Sequence, residues 1–246
     1  MIKELGPGFR LTLVFTILTG LIYPAAVTGI AQLLFPSRAN GSLVTVNGKT
    51  IGSSLIAQGF SKPEYFHPRP SSAGSGYDAG LSAGSNLGPS SAKLLRGTTK
   101  MDDKKNEVTD FDGVSLRVVH YCLDNDIPFE SSIPLDQFKG SDGTLDEVKL
   151  IKAFSHDKTP LVFRATQPIP SDAVTASSSG LDPHISPANA EIQAGRIAKA
   201  RGVSADQITP LIAEYTDKAG LGFLGESGVN VLMMNVALDE KFPAKK

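Results

Sequence analysis

The feature that most limits what this chain can become is LTLVFTILTGLIYPAAVTGIAQLLF, Leu11 to Phe35, 25 residues without a charge between Arg10 and Arg38. In hydrocarbon every backbone N–H and C=O must find its partner within the segment, so a run of this kind has to be helical. As a helix it is long enough to cross a hydrocarbon core of about 30 Å with some tilt. The competing reading is a secretory leader, for which Gly29, Ile30 and Ala31 before Gln32 offer a small-x-small cleavage site. A leader's apolar region runs to about 7–15 residues. Here the apolar run continues through Leu34 and Phe35, which favours a retained anchor.

Pro24 removes a backbone donor in mid-span and predicts a kink, while Gly20 and Gly29 offer points of close helix approach. Lys3, Arg10 and the amino terminus outweigh Arg38 and Lys49 by a small margin. Positive charge is retained on the cytoplasmic side, so residues 1–10 are expected there, residues 11–35 in the bilayer and residues 36–246 outside the cytoplasm. The expectation is a single-pass protein of the inner or plasma membrane. With no ionisable group in the span, the helix has nothing with which to line an ion path by itself.

Beyond the span, 41% hydrophobic residues support a packed core. Lys plus Arg (24) balance Asp plus Glu (25) without any basic run, which excludes nucleic acid as a partner class. The single cysteine, Cys122, has no internal disulfide partner and fits either a reducing compartment or an exported domain.

VTVNGKTIG, Val44 to Gly52, alternates around Asn47-Gly48 and predicts a β-hairpin, because both turn residues tolerate positive φ. Its GKT also suggests a phosphate-binding loop, but the glycine needed five positions before Gly48 is Leu43. From Phe66 to Ser91 the sequence is Gly, Ser, Pro and Ala-rich and predicts a long loop. A more charged middle segment, about residues 95–169, reads as an insertion or subdomain with two strand-like runs, Val114 to Cys122 and Thr159 to Ala165.

Ser186 followed by Pro187 is an N-cap and first-turn pair, and Gly202 ends the helix they open, predicted over Pro187 to Arg201. Ser204 with Gln207 forms a capping box, Val203 can staple onto Ile208, and a second helix runs toward Lys218 with Pro210 kinking it. Val229 to Leu238 is an apolar late strand or buried segment. The expected fold is one N-terminal transmembrane helix followed by an α+β soluble domain, with a long Gly/Ser/Pro-rich loop, a C-terminal helical pair and a late strand.

Three stretches invite chemistry. GLSAG, Gly80 to Gly84, matches GxSxG, and Ser82, Asp182 and His184 occur in the chain order of an α/β-hydrolase triad. A membrane-anchored extracytoplasmic serine hydrolase using Ser82 is therefore the alternative function. Against it, the motif lacks an apolar strand before and a helix after, and Asp182 and His184 are two residues apart. His67, Asp78, Asp182 and His184 lack metal-ligand spacing, so no metal site is expected. DKTPL, Asp157 to Leu161, looks like a P-type phosphorylation motif, but Pro160 and Leu161 break it.

The sequence resembles the C subunit of the Kdp-type potassium-transporting ATPase. The resemblance is carried by FPSRANGSL (Phe35 to Leu43), GSSLIAQGF (Gly52 to Phe60), YFHPRPSSAG (Tyr65 to Gly74), SAGSNLGPSS (Ser82 to Ser91), VTASSSGLDPHISPANA (Val174 to Ala190), RIAKARGVS (Arg196 to Ser204) and GVNVLMMNVALD (Gly228 to Asp239). It covers roughly residues 17–92 and 170–240, while residues 95–169 depart, being longer than in the compact members. It implies a non-catalytic accessory subunit that assembles or stabilises a high-affinity potassium pump. The implied partners are the channel-like potassium-translocating subunit and the P-type ATP-hydrolysing subunit. A role in raising the latter's nucleotide affinity is also implied, with ATP reached through the complex and no cofactor held by this chain. The candidate interaction surface is then the loop Ser177 to Ser186 together with HPRPSSAG and SAGSN: His67, Arg69, Ser85, Asn86, Ser179, Gly180, Asp182, His184 and Ser186.

Overall fold

The computed structural model describes residues 2–244, so the terminal residues of the expected segments 1–10 and 36–246 lie outside the described residues. The chain divides into two compact units after Leu55.

In the first unit, helix α1 (Ile2–Ile17), a π-helical turn (Leu18–Ile22) and helix α2 (Tyr23–Leu34) form one helical run. Its Lys3–Leu34 stretch is long and apolar enough to cross a membrane, and none of it is buried within the protein. The expected disturbance at Pro24 is taken up one turn earlier. Pro24 cannot donate to the Gly20 carbonyl, and the widened turn lets the Tyr23 amide donate to Leu18 O instead. Gly20 and Gly29 have open space where a Cβ would stand.

A short helix α3 (Pro36–Ala39) follows, then strands β1 (Leu43–Val46) and β2 (Lys49–Ser53), paired antiparallel. Asn47 and Gly48 take φ of 51° and 76°, the left-handed values that the predicted hairpin turn requires.

The second unit holds two hydrophobic cores. The first gathers Phe66, Ile185, Ile197, Ile208, Met234 and Leu238. It is built by α8 (Pro187–Arg201), α9 (Ala205–Glu214), α10 (Val231–Lys241) and a sheet ordered β7 (His184–Ile185), β9 (Gly228–Asn230), β8 (Thr216–Asp217). Helix α8 has the predicted bounds: Ser186 Oγ accepts from the Asn189 amide at 3.1 Å, and Gly202 stops it at φ 69°. The predicted capping box opens α9, with Ser204 N–H donating to Gln207 Oε1 at 3.1 Å. Pro210 lies inside α9, which stops at Glu214 rather than reaching Lys218 because the chain turns into β8.

Two expected strands are helices. The late strand Val229 to Leu238 is extended only over Gly228–Asn230; Asn230 then caps α10, its Oδ1 accepting from Met233 N at 3.1 Å. A helix buried on most sides shows no alternation, and the capping asparagine was the usable signal. Val114 to Cys122 belongs to helix α5 (Gly113–Asp124), which buries Gly113, Leu116, Val119 and Cys122. That stripe, spaced every three residues, is helical, and its β-branched and aromatic neighbours disguised it as a strand.

Helix α5 anchors the second core, with Leu116, Val119, Phe138, Leu150, Ile151, Phe154 and Leu161. Around it lie α4 (Ala92–Arg96), the antiparallel pair β3 (Thr98–Met101) and β4 (Glu107–Phe111), α6 (Glu147–Phe154), and the pair β5 (Phe129–Ser131) and β6 (Phe163–Ala165). The strand expected from Thr159 is thus confined to its last three residues. The middle segment thus carries a core of its own within the second unit. Helix α7 (Ser171–Val174) leads back to the first core.

Candidate functional site

The long loop predicted from Phe66 to Ser91 contains no strand or helix. Its shape comes from hydrogen bonds to distant segments. The Phe66 amide donates to Asn235 Oδ1 at 2.8 Å, while Asn235 Nδ2 donates to Phe66 O at 3.0 Å. One residue on, Gln193 of α8 repeats the arrangement with His67, at 2.7 and 3.1 Å. Two carboxamides therefore satisfy the backbone as a neighbouring strand would.

From there the loop meets the segment Thr175 to Ser186. Arg69 Nη1 lies 3.1 Å from Asp182 Oδ2, and its Nε donates to Thr175 O at 3.4 Å. Ser71 Oγ donates to Gly180 O at 2.6 Å, and Ala83 N donates to Ser179 O at 2.9 Å. Gly180 sits at φ 68°, and a Cβ there would come within 2.5 Å of Ala83 O and 2.8 Å of Ala73 N. Only glycine allows this approach. The two stretches singled out by sequence, HPRPSSAG and SSSGLDPHIS, are one bonded platform rather than two separate surfaces. Tyr77 fastens its rim by donating to Arg69 O at 2.7 Å, and burial pushes its phenol up to about 12.

Of the predicted residues, Arg69, Ser179, Gly180 and Asp182 make the bonds that join the two segments, whereas the contacts of His67, Ser85 and Asn86 lie outside that seam. His67 Nε2 is 3.0 Å from Lys62 O, and burial, with Arg196 nearby, lowers its pKa so that the ring is a neutral donor there. Ser85 Oγ accepts from Leu87 N, and Asn86 takes φ 54° in the same turn. Ser179 Oγ accepts from Leu181 N at 3.1 Å. Asp182 Oδ1 accepts from the His184 amide at 3.0 Å. The His184 ring has Asp217 Oδ2 3.0 Å from Nε2 and Asp182 Oδ1 3.6 Å from Nδ1. Its pKa is raised by Asp182 foremost and then Asp217, with burial opposing.

The hydrolase alternative does not survive this geometry. Ser82 Oγ donates its proton to Ser179 O at 3.0 Å, and both ring nitrogens of His184 face carboxylates. No strand precedes Ser82 and no helix follows it within the loop, so the nucleophile elbow is not built. Asp78 accepts from Gly80 N, as a turn residue does. Among the described residues no group of three or more His, Cys, Asp or Glu is placed to hold a metal.

Sequence reasoning missed Asp172. From α7 it accepts from Ser186 N and Ser186 Oγ, both at 2.8 Å, and from Asn189 Nδ2 at 2.9 Å. It supplies the negative charge at the α8 N-terminus that local sequence cannot show. Arg196 and Arg201 of α8 are buried and donate to backbone carbonyls of residues 63–65, Leu238 and Phe242.

The chain thus combines a helix long and apolar enough to cross a membrane with an α+β body whose loop polar groups bond to one another. Comparison with known proteins gives its kin. The family KdpC, described as "K+-transporting ATPase, c chain", matches residues 5–115 and 128–240. The potassium-transporting ATPase KdpC subunit of Mycobacterium tuberculosis is 42% identical over 239 residues, 97% of this chain and 99% of that one. That of Beijerinckia indica subsp. indica is 39% identical over 246 residues, covering 100% and 98%. That of Caulobacter sp. is 42% identical over 248 residues, covering 99% and 97%. The chain belongs to the KdpC family. The middle segment, expected to depart from the family, is shared with these relatives, since they match along nearly their whole length. The family match breaks only at residues 116–127, within α5 and the turn after it.

Proposed function

We propose that this chain is the accessory, non-catalytic subunit of an ATP-driven, high-affinity potassium uptake pump. Residues 11–35 anchor it in the cell membrane, residues 1–10 face the cytoplasm and the body lies outside. The platform formed by His67, Arg69, Ser85, Asn86, Ser179, Gly180, Asp182, His184 and Ser186 is its docking surface. Its partners are the channel-like potassium-translocating subunit and the P-type ATP-hydrolysing subunit, and it assembles or stabilises them. Any gain in nucleotide affinity of the hydrolysing subunit is transmitted through the assembly, not through nucleotide held here.

One observation carries the reading: a match to KdpC subunits of potassium-transporting ATPases across nearly the full chain. The internal bonding of the platform supports it, since a preformed surface loses little entropy on docking. The test is mild-detergent purification of the tagged full chain from its own membranes. Recovery of two larger membrane subunits, with potassium-stimulated ATP hydrolysis, is expected; a chain that purifies alone, or labels at Ser82 with a fluorophosphonate, overturns the reading. Protease added to intact cells is expected to clip the body; protection of the body there and cleavage in inverted vesicles reverses the orientation.

A further inference from the structure

His184 occupies an unusual position in the small sheet. Its strand β7 and the strand β8 flank β9 on opposite sides, and its side chain reaches across to Asp217 of β8. Gly228 of β9 lies against it so closely that a Cβ there would stand 2.9 Å from His184 Cβ. A cavity of about 340 Å³ opens beside the ring, lined among others by Arg69, Asp172, Lys218 and Glu226. These, with Asp182 and Asp217, are the charged groups that face it. Arg69 is paired with Asp182, and Asp172 is engaged by Ser186 and Asn189.

A neutral imidazole has one N–H and one lone pair. Here Nε2 lies within hydrogen-bond reach of Asp217 Oδ2 at 3.0 Å and Nδ1 at ion-pair distance, 3.6 Å, from Asp182 Oδ1, so only the doubly protonated ring is charge-paired with both, and loss of its charge weakens the hold on each. Loss of the proton leaves a lone pair opposed to a carboxylate. Asp182 is also held by Arg69 and by the His184 amide, whereas Asp217 is largely exposed, so water replaces the Asp217 tie more readily. Beyond Asp217 the chain runs through Lys218 to Ser227, a loop that leaves Leu221 84%, Phe223 74% and Leu224 56% exposed.

We propose that His184 is a proton-operated staple: protonated, it ties the docking platform to β8 and fixes the apolar loop that follows; deprotonated, it lets go of Asp217 and that loop loosens. The consequence for assembly rests on the platform being a docking surface, but the staple itself does not. Both carboxylates hold the ring's pKa above the ordinary histidine value, so the release comes on the alkaline side of that value.

The test is amide hydrogen exchange on the full chain in detergent between pH 5.5 and 8.5, corrected for intrinsic exchange rates, for wild type, His184→Gln and Asp217→Asn. Amides of residues 216–228 are expected to exchange about two- to fivefold faster at the alkaline end in wild type, and at one pH-independent fast level in both variants. Protection that is flat with pH in wild type, or that keeps its pH dependence in His184→Gln, overturns the staple. Amides of α8 report the fold; if His184→Gln speeds them too, the exposed Asp217→Asn carries the comparison. Because no partner is present, failure here leaves the docking reading standing, and failure to recover partner subunits leaves the staple standing.

Discussion

Asp172 lies outside α8 yet completes its first turn, its carboxylate 2.8 Å from both the amide and the hydroxyl of Ser186. The helix therefore begins with two layers of capping, Ser186 on Asn189 and Asp172 on Ser186. Since Ser186 is also the last residue of the platform loop, one carboxylate sets both where the helix starts and where the loop ends. Asp172→Ala is expected to destabilise the chain by about 1–2 kcal/mol, and Asp172→Asn by less. Urea unfolding of the detergent-solubilised chain, followed by α8 protection, measures it.

Gly180→Ala tests the platform itself. The new methyl meets Ala83 O at 2.5 Å and Ala73 N at 2.8 Å, in a left-handed conformation that alanine resists. A loss of about 1–3 kcal/mol is expected, together with reduced recovery of partner subunits. Gly76→Ala serves as the comparison: it too has positive φ, but open space for a Cβ, so it strains the backbone without pushing the two loops apart.

Arg201 is fully buried and donates to the carbonyl oxygens of Glu64, Leu238 and Phe242 and to Asp239. Arg201→Met is expected to cost about 3–5 kcal/mol, because it strands three carbonyls together. Arg201→Lys is expected to recover only part, since an ammonium lacks the planar fork. Thermal unfolding of both variants orders them.

Beside the second core, between α5 and α6, His120 Nε2 lies 3.3 Å from Glu147 Oε1, without the alignment of a good hydrogen bond. Glu147 raises the histidine's pKa, and His120 in turn lowers that of the glutamate. The pair's stabilisation is thus complete only above the ordinary glutamate value and below the ordinary histidine value. It fades as pH rises through the raised histidine pKa, and again as pH falls through the lowered glutamate pKa. Both side chains are more than a third exposed, so the effect is a few tenths of a kcal/mol. Comparing urea midpoints at pH 5.5 and 8.5 for His184→Gln with and without His120→Gln isolates it, with the larger difference at pH 5.5.

What the sequence disclosed follows the range of the forces involved. Helix α8 and the opening of α9 were legible because Ser186, Pro187, Gly202, Ser204 and Gln207 act on backbone groups within a turn of themselves. The Asn47-Gly48 hairpin was legible for the same reason. Helix α5 was misread because its apolar stripe is only as wide as the second core it faces, and α10 because a nearly all-round apolar run has no period. At the platform, residue types singled out two loops, but not their union. That union depends on Arg69 meeting Asp182 and Ser71 meeting Gly180 across more than a hundred residues, and no local pattern encodes such distances.

The π-helical turn at Leu18–Ile22 carries one residue more than an α-helical turn needs. The widened turn absorbs that residue, so everything after it lies about 100° short of where an unbroken α-helical count would place it. Gly20 and Gly29 therefore owe their relative azimuth to that surplus residue, and a neighbour cannot read them as points on one ideal helical wheel. Removing a single residue there would close the wide turn to an α-helical one and keep the half after Ile22 near its present compass bearing, whereas the same deletion elsewhere in the rod would swing all that follows by about 100°.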